Sequence, residues 1–553
     1  MRNINLNLEY HLQNKNYLTY IFFSIYLIIG LFIFKDFGIS FDENINRLNG
    51  FVSLKYIINK FSIPLDLENI NLHMSFIKTI PNIANYWDNV YGVVFDLPLA
   101  IIEVIFNIDD SRNIYLLRHL STFLIFFLST ICFYNLINYH FKNKSLALTG
   151  VLFLILSPRI FANSFYNSKD IVFLAFFIFS IYFSLKALNY KTIKYIILAG
   201  FFSALCSGSR VVGSYLPFLT ILFYYLINEK DKTNFSNLRF STYLLSFFFI
   251  FLFLFWPYLW GNPILNFVHA LTKLGNFPYE IYVLYLGDYV NSKYIPWHYF
   301  FVWFSITTPP LILLLILIGI FFTSKDLIVN FVNIKKESKY LLWKNNNEMN
   351  ESFIFLSFLI PVFLIVIFNS TLYGGWRQLY FIYPPLVFLG VRSLVVLNKK
   401  FNDLIKRIVY FLLFIQLSLV FNFLIQSHPL QFTYFGLPGS NFINDRFYVD
   451  YWGVGNQYSI KKLVSQKEIN LPIKVAAASF TDLNKTKLIL TKENREKFIF
   501  LGSEKKEAEY VFTNYYYHVP PKIDKRYEIP ENFNSLIKLN IKGLLINEIF
   551  KKR

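Results

Sequence analysis

Long runs of Phe, Leu and Ile alternate with short polar stretches along most of this chain. The runs recur from Tyr17 to Leu424, and each is close to the ~20 residues that an α-helix needs to cross a bilayer. They predict eleven membrane-spanning helices, near residues 17–35, 114–140, 146–158, 170–187, 194–209, 212–228, 240–258, 299–323, 352–369, 379–397 and 408–425. The membrane domain is therefore expected to occupy residues 1–426. From about Ser427, short strand-like runs mixed with charged residues predict a small α/β domain at 427–553.

Lysine and arginine cluster on alternate connections between the predicted spans. The clusters are Lys142 and Lys144; Lys186, Lys191 and Lys194; Lys230, Lys232 and Arg239; Lys325, Lys335, Lys336 and Lys339; and Lys399, Lys400, Lys406 and Arg407. Because positive connections stay in the cytoplasm, this alternation predicts a cytoplasmic N-terminus and a C-terminal domain outside the membrane. The first span is expected to remain an uncleaved helix, since Lys35 and Asp36 follow it where a signal peptide would have a small-residue cleavage site.

Residues 89–107 are apolar but short, and they carry Asp96 and Glu103. If this segment crossed the membrane, every later basic loop would move to the outer face. We therefore expect an amphipathic helix that lies along the outer membrane surface.

Composition supports a polytopic membrane protein. The chain has 553 residues, is 55% hydrophobic and has a net charge of +19. The positive balance fits cytoplasmic loops that face anionic lipid headgroups, not nucleic-acid binding. Both cysteines lie inside apolar runs, so no disulfide framework is expected.

The outer connections are candidates for function, because long ordered loops on one face usually do more than connect helices. They cover residues 36–112, 260–298 and 370–378. In the first of them, Asp42 and Glu43 form an acidic pair that could hold a general base. The alternative is an ordinary helix start near Asp42, capped by Ser40.

The segment SPRIFANSFYNSKD, residues 157–170, is predicted to be a short polar loop between two spans, with Arg159 and Lys169 on the outer face. Basic residues there oppose the orienting rule, and an anionic ligand such as a phosphate would explain them. The alternative is that their side chains reach lipid headgroups. Three further cations are predicted at the same level and complete a candidate phosphate clamp: Arg118, Arg210 and Arg377.

Candidate contacts to a sugar or an acceptor are Asp96, His298 and Trp297, with Tyr86, Trp87 and Trp260 as further aromatic residues. Aromatic residues at this depth are also what any interfacial belt contains. The sequence has no HExxH, no CxxC pair, no Walker loop and no GxGxxG before a strand, so it predicts no dedicated nucleotide or metal site. No cofactor is predicted, and a divalent cation stays open. Nucleotide cofactors are absent outside a bacterial inner membrane. An enzyme that transfers a group there would therefore use a donor already in the membrane, most simply a lipid-linked one.

Seven motifs occur in an order that resembles one family. They are FDE, SPRIFANSFYNSKD, WPYLWGNP, PWHYFFVWFSITTPP, YGGWRQLYFIYPP, HPLQFTYFG and DYWG, within residues 40–455. This pattern is similar to that of the bacterial branch of the protein O-mannosyltransferase-like group in the GT-C superfamily. Such proteins are integral-membrane glycosyltransferases that use polyprenyl-phosphate sugars. The chain departs from the usual pattern at Gln378, Leu430 and Gly436.

The resemblance implies a GT-C catalytic domain at 1–426 that transfers a hexose or pentose from a polyprenyl-phosphate donor to an acceptor hydroxyl on the periplasmic face. It maps Asp42 as the base and Arg118, Arg159 and Lys169 as donor contacts. One base and one displacement would invert the anomeric carbon. The acceptor could be lipid, glycan or protein.

Two alternatives stay open on sequence alone. A transporter or flippase of a lipid-linked saccharide would share the spans and the phosphate-binding cations, although transporters usually place ionisable groups near the membrane midplane. A membrane sensor with the C-terminal domain as its receptor would explain neither the acidic pair nor the cationic cluster.

Overall fold

Helices dominate the structure, as the hydrophobic pattern predicts. The computed structural model describes residues 2–67, 70–74, 77–227, 236–275, 277, 280–333, 342–466, 472–481 and 483–553, with side chains described from Tyr17 onward. The helices of these ranges are α1 Arg2–Ile33, α2 Glu43–Phe61, α3 Asp96–Ile105, α4 Ser111–Phe141, α5 Lys144–Ile155, α6 Pro158–Tyr166, α7 Asp170–Tyr190, α8 Ile193–Ser209, α9 Tyr215–Tyr225, α10 Asn237–Phe255, α11 Pro263–Gly275, α12 Tyr299–Thr307, α13 Pro310–Val332, α14 Asn346–Ile367, α15 Tyr383–Lys400, α16 Asp403–Gln426, α17 Ser440–Ile443, α18 Asn456–Val464, α19 Leu483–Lys487 and α20 Lys492–Glu496. The strands are β1 Tyr282–Tyr285, β2 Asp288–Asn291, β3 Ile473–Ala477, β4 Phe498–Phe500, β5 Tyr510–Thr513, β6 Phe533–Ile541 and β7 Leu544–Lys552.

Seven helices in the described part of the chain are long and apolar enough to cross a membrane, or eight if a bent pair counts as one span. Three shorter apolar helices, Tyr17–Ile33, Ile193–Ser209 and Val211–Tyr225, also coincide with predicted spans. The prediction of a polytopic helical membrane protein is therefore confirmed. Two of the predicted basic clusters fall partly outside the described residues, at Lys230 and Lys232 and at Lys335, Lys336 and Lys339.

The predicted span at 146–158 and the loop after it are wrong in detail. Helix α5 ends at Ile155, and a second helix, α6, begins at Pro158 with a bend of 70°. Proline disfavours helical geometry in the residue before it but fits the first turn of a new helix, which explains the bend. Every residue of α6 is buried, so the predicted polar loop is a packed helix.

The predicted span 299–323 also breaks at a proline pair. Helix α12 ends at Thr307 and α13 starts at Pro310, continuing to Val332. Neither proline nitrogen can donate a hydrogen bond, so one continuous helix cannot form through this point.

The region 36–112 is a folded layer and not a simple loop. Its main element is α2, whose twelve buried residues include Asn44, Arg47 and Asn49. The buried polar groups are satisfied, because Tyr115 donates to Asn44 (2.7 Å) and Asn49 donates to Asp88 (2.8 Å). Helix α3 packs across α2 so closely that a Cβ at Gly50 would lie 2.4 Å from the Asp96 carbonyl oxygen.

The segment 89–107 does not contain a spanning helix. Its helix, α3, has ten residues, about 15 Å at a rise of 1.5 Å per residue, half of the hydrocarbon thickness. The structure thus agrees with a non-crossing segment, but α3 buries Leu99, Ala100 and Glu103 against protein.

The C-terminal part forms the predicted small α/β unit. Its five-stranded sheet has the order β4-β3-β5-β7-β6, with β3 parallel to both of its neighbours and β7 antiparallel to β5 and β6. Before this sheet, Leu430, Phe447 and Val454 pack in the same hydrophobic cluster as the membrane helices. Residues 427–455 therefore connect the sheet to the helical body, and a domain division at 426 stays a prediction.

Candidate functional site

A cavity with about 800 Å³ of empty space, including its open mouth, lies between the helical body and the C-terminal unit. It brings together Asp42, Lys169 and Arg377, three of the predicted site residues that are far apart in sequence. Asp88 and Asn46 are further polar residues of its wall. Its aromatic lining consists of Phe41, Trp87, Tyr91, Phe277, Tyr373, Tyr451, Trp452, Phe480 and Tyr516.

Asp42 stands at the position just before α2, so the fold of the acidic segment sets where its carboxylate points. The side chain keeps 37% of its surface exposed, and its Oδ2 lies 3.3 Å from Arg377 Nη2. An oriented carboxylate with an open side can both contact a ligand and accept a proton. The predicted helix start near Asp42 is also present, although the Ser40 side chain does not cap it.

Glu43 has a different environment from its neighbour. It is 1% exposed, and its Oε2 accepts the backbone N–H of Ser40 at 2.6 Å. Its Oε1 lies 3.0 Å from His119 Nε2, which belongs to α4. Glu43 therefore braces the Asp42 loop from inside the protein and does not line the cavity.

Lys169 lies at the start of α7, with its Nζ 3.0 Å from the centroid of the Tyr91 ring. Within the described ranges, no carboxylate oxygen comes within 4 Å of this ammonium group. Burial lowers the pKa of Lys169 to about 8, and the nearby Asp88 opposes that shift. Lys169 also borders a second, smaller polar pocket that contains Asp96.

Arg377 joins two carboxylates from different elements. Its Nη1 is 3.1 Å from Asp170 Oδ2, and its Nη2 contacts Asp42. The guanidinium also lies over the Trp452 ring, 4.6 Å from the centroid. Arg210 pairs with the other oxygen of Asp170 and does not line the cavity. Asp170 thus holds two of the predicted clamp cations in place.

Asp88 is a cavity residue that the sequence did not indicate. It is 4% exposed, and Asn49 donates to its Oδ2 at 2.8 Å. Burial raises the pKa of Asp88 to about 6, with the Lys169 charge acting against the rise. No motif or charge pattern marks this residue, because it lies in an irregular segment between α2 and α3.

Arg118 and Asp96 lie next to the cavity but contact each other. Arg118 is fully buried and forms ion pairs with Asp96 and with Glu103, whose Oε1 is at 3.4 Å. Arg47 reaches the other Glu103 oxygen at 2.8 Å. Burial raises the pKa of Asp96 to about 6, against the Arg118 charge. Arg118 and Asp96 thus belong to a buried ionic network, and the donor and acceptor contacts predicted for them stay predictions.

Arg159 is enclosed within the protein. Its Nε donates to the Tyr434 carbonyl at 3.2 Å, and its guanidinium lies 4.7 Å from the Phe435 ring centroid and 5.4 Å from that of Trp303. It does not line the cavity. These contacts of Arg159 connect α6 with the segment after α16. They do not support the predicted contact between Arg159 and a phosphate.

The predicted aromatic contacts divide in the same way. Trp87 lines the cavity, but Trp297 is 67% exposed and borders a separate pocket. His298 Nδ1 is 2.6 Å from the Tyr285 hydroxyl, and Trp260 packs near Tyr56. Trp297, His298 and Trp260 therefore lie outside the cavity.

No metal cluster is found among the described residues, where no three His, Cys, Asp or Glu side chains are grouped closely enough to hold an ion. The cavity itself offers a charged and aromatic surface: two carboxylates, an ammonium group with no ion-pair partner in the described ranges, and a paired guanidinium. Such a surface can hold a phosphate and stack a sugar ring.

Residues 97–260 match the family model described as dolichyl-phosphate-mannose-protein mannosyltransferase. The match covers 164 of the 553 residues, and this segment is similar to that family. It carries Lys169 of the cavity, together with Asp170 and Arg210 beside it. The predicted resemblance to membrane glycosyltransferases of the GT-C type is thus confirmed, and the multi-pass architecture agrees with it.

Two solved structures are also similar to this chain, at low sequence identity. ArnT from Cupriavidus metallidurans, bound to undecaprenyl phosphate, is 9% identical, with a TM-score of 0.42 over 96% of this chain and 97% of that one. The archaeal oligosaccharyltransferase AglB from Archaeoglobus fulgidus, in complex with an inhibitory peptide and a dolichol-phosphate, is 12% identical, with a TM-score of 0.43 over 86% of this chain and 66% of that one. No curated protein sequence matches the chain.

Proposed function

We propose that this protein is a membrane glycosyltransferase that moves a hexose or pentose from a polyprenyl-phosphate donor to an acceptor hydroxyl on the periplasmic face of a bacterial inner membrane. The observation that carries the proposal is the cavity in which Asp42, Lys169 and Arg377 meet. The family match adds the lipid-phosphate class of donor. The acceptor class, whether lipid, glycan or protein, stays open.

Lys169 is the best candidate for the donor phosphate. It lines the cavity and has no described carboxylate partner, so a phosphate oxygen could accept from its ammonium group. Arg377 would add a second cation while its position is held by Asp170. A polyprenyl phosphate gains negative charge as it leaves, and fixed cations stabilise that charge.

Asp42 is the proposed general base. The acceptor oxygen would attack the anomeric carbon while its proton passes to Asp42, and the bond from that carbon to the phosphate oxygen would break. One direct displacement of this kind inverts the anomeric configuration. Trp87 and Tyr91 of the cavity wall could stack against the sugar ring.

The test uses single-turnover transfer by the purified full-length protein, with labelled dolichyl-phosphate mannose as the probe and an envelope extract as acceptor. Asp42→Asn keeps the side-chain shape, and we expect it to lose about a hundredfold or more in rate with unchanged donor affinity. Glu43→Gln should lose less. Asp88→Asn is the matched control, a second carboxylate in the same cavity. Wild-type turnover by Asp42→Asn together with an inactive Asp88→Asn would move the base to Asp88.

The transporter alternative predicts a different result. A flippase would bind the donor and move it between leaflets without breaking its sugar–phosphate bond. Release of free polyprenyl phosphate from the probe by the wild-type protein, and its loss in Asp42→Asn, would support transfer over transport.

A further inference from the structure

The loop that carries Asp42 is contacted from its outer side by the C-terminal unit. Lys485, in α19, donates from Nζ to the Phe41 carbonyl at 2.8 Å. The same ammonium lies 3.0 Å from the centroid of the Phe41 ring. Phe480 packs on that ring at 5.1 Å between centroids, and both rings line the cavity. The residue directly before the proposed base is thus held by a backbone contact and by two side-chain contacts.

The segment that supplies Lys485 is itself anchored to the helical body. Arg495 pairs with Asp110 at 2.6 Å, at the start of α4, and the Ser111 hydroxyl donates to the Leu488 carbonyl at 2.9 Å. Ile489 is 1% exposed and packs in one small cluster with Ile39. Residues 483–496 are therefore attached to the surrounding structure through three residues, Asp110, Ser111 and Ile39.

The start of the same loop is held by close backbone contact. A Cβ placed on Gly38 would lie 2.3 Å from the Val454 carbonyl oxygen, so a larger residue would push the two segments apart. The inner side of the loop is fixed by Glu43, which accepts from Ser40. Between these two supports, Phe41 is the point where the outer contact acts.

We infer that Lys485 is a positioning residue for the proposed base. Its hydrogen bond to the Phe41 carbonyl holds the backbone next to Asp42 and so fixes the position of the Asp42 carboxylate, without contacting substrate. The inference rests on the proposed function of Asp42. The C-terminal unit would then have a mechanistic role, because it holds the loop that carries Asp42 and also forms one wall of the cavity. A carboxylate that acts as a base tolerates little displacement, since a misplacement of about 1 Å can cost on the order of a hundredfold in rate.

The experiment compares Lys485→Met with Lys505→Met in the full-length protein. Lys505 is a matched control, because its Nζ also donates to a backbone carbonyl, that of Arg526 at 2.7 Å, but inside the C-terminal unit. We expect Lys485→Met to lower single-turnover transfer of the mannosyl probe by about tenfold with unchanged donor affinity. Lys485→Arg, which keeps a cationic donor, should recover part of the rate, and Lys505→Met should match the wild type.

A double-mutant cycle separates positioning from general destabilisation. If Lys485 acts through Asp42, Lys485→Met should cost little further rate in a background that already carries Asp42→Asn. The same tenfold loss in both backgrounds would overturn the inference. So would an equal loss in Lys485→Met and Lys505→Met, or a loss that appears as weaker donor binding.

Hydrogen exchange tests the contact independently of transfer. Amides in residues 37–46 should exchange faster in Lys485→Met than in Lys505→Met, because the outer support of the loop is gone. If the wild-type protein shows no transfer but exchange changes as expected, the proposed function fails while the contact stands. Unchanged exchange in Lys485→Met would refute the positioning role even in an active enzyme.

Discussion

The environment of Lys169 makes a quantitative prediction for donor binding. Its ammonium lines the cavity without a described carboxylate partner, and burial lowers its pKa to about 8. If the donor phosphate binds only the protonated form, the apparent affinity is reduced by the protonated fraction. The proposed donor, a polyprenyl-phosphate sugar, is a phosphodiester with one constant negative charge, so its own ionisation does not change between pH 7 and 9.5.

The direction and size of the effect follow directly. Below pH 8 Lys169 is mainly charged and binding is at full strength, whereas above pH 8 each further unit removes most of the remaining charged form. The dissociation constant for the donor should therefore rise about tenfold at pH 9 and about thirtyfold at pH 9.5, relative to neutral pH. Asp88, with a pKa of about 6, is ionised throughout this range and adds no pH dependence of its own.

The assay is equilibrium binding of labelled dolichyl-phosphate mannose in detergent, with folding monitored at each pH. Lys169→Arg is the matched control, because an arginine stays protonated over the whole range and its binding should be flat. Lys169→Met should bind weakly at every pH. Flat wild-type binding from pH 7 to 9.5, or an equal fall in Lys169→Arg, would refute the assignment of Lys169 to the donor phosphate.

Three further predictions address the surrounding structure. Arg118→Met should lower the free energy of unfolding by about 3 kcal/mol, measured by thermal or denaturant unfolding, because buried Asp96 would lose its ion-pair partner and Glu103 would keep only Arg47; an unchanged stability would contradict the network. Arg159→Ala should lower the melting temperature, with donor affinity within about threefold of wild type; normal stability with weakened donor binding would instead restore the predicted phosphate contact. A phosphatase fused after Arg553 should be active in cells, as the alternating basic loops require; a stable but inactive fusion would mean that the number of spans is even.

Much of the architecture could be predicted because it depends on local properties. Apolar length located the spans, and proline marks both places where a predicted span breaks, at Pro158 and at Pro309–Pro310. The sequence could not show how 36–112 folds, since α2 buries polar residues together with its apolar ones. The buried Asn and Arg side chains of α2 are stabilised by partners far away in sequence. Such pairs cannot be predicted from the local sequence pattern.

Part of the cavity could also be predicted, because some of its charged residues stand out in the sequence. Asp42, Lys169 and Arg377 stood out as charges on the predicted outer face, and the fold brings them together. Asp88 carried no such signal. The C-terminal contribution of Phe480 and Tyr516 was also missed, because two aromatic residues in a mixed segment do not indicate which distant loop they face.

The positive-inside rule drew attention to the cations on the predicted outer face, but it could not show which of them would bind a ligand. Arg47, Arg118, Arg210 and Arg377 each lie within 4 Å of a carboxylate in the described structure, so their charge is balanced inside the protein. Arg159 is enclosed by aromatic rings. Lys169 alone among the predicted cations both lines the cavity and lacks a described carboxylate partner. Since an unpaired charge in a partly buried site is costly, a bound anion would stabilise it more than any of its neighbours. Charge balance therefore singles out Lys169 as the residue for which a phosphate ligand has most to contribute.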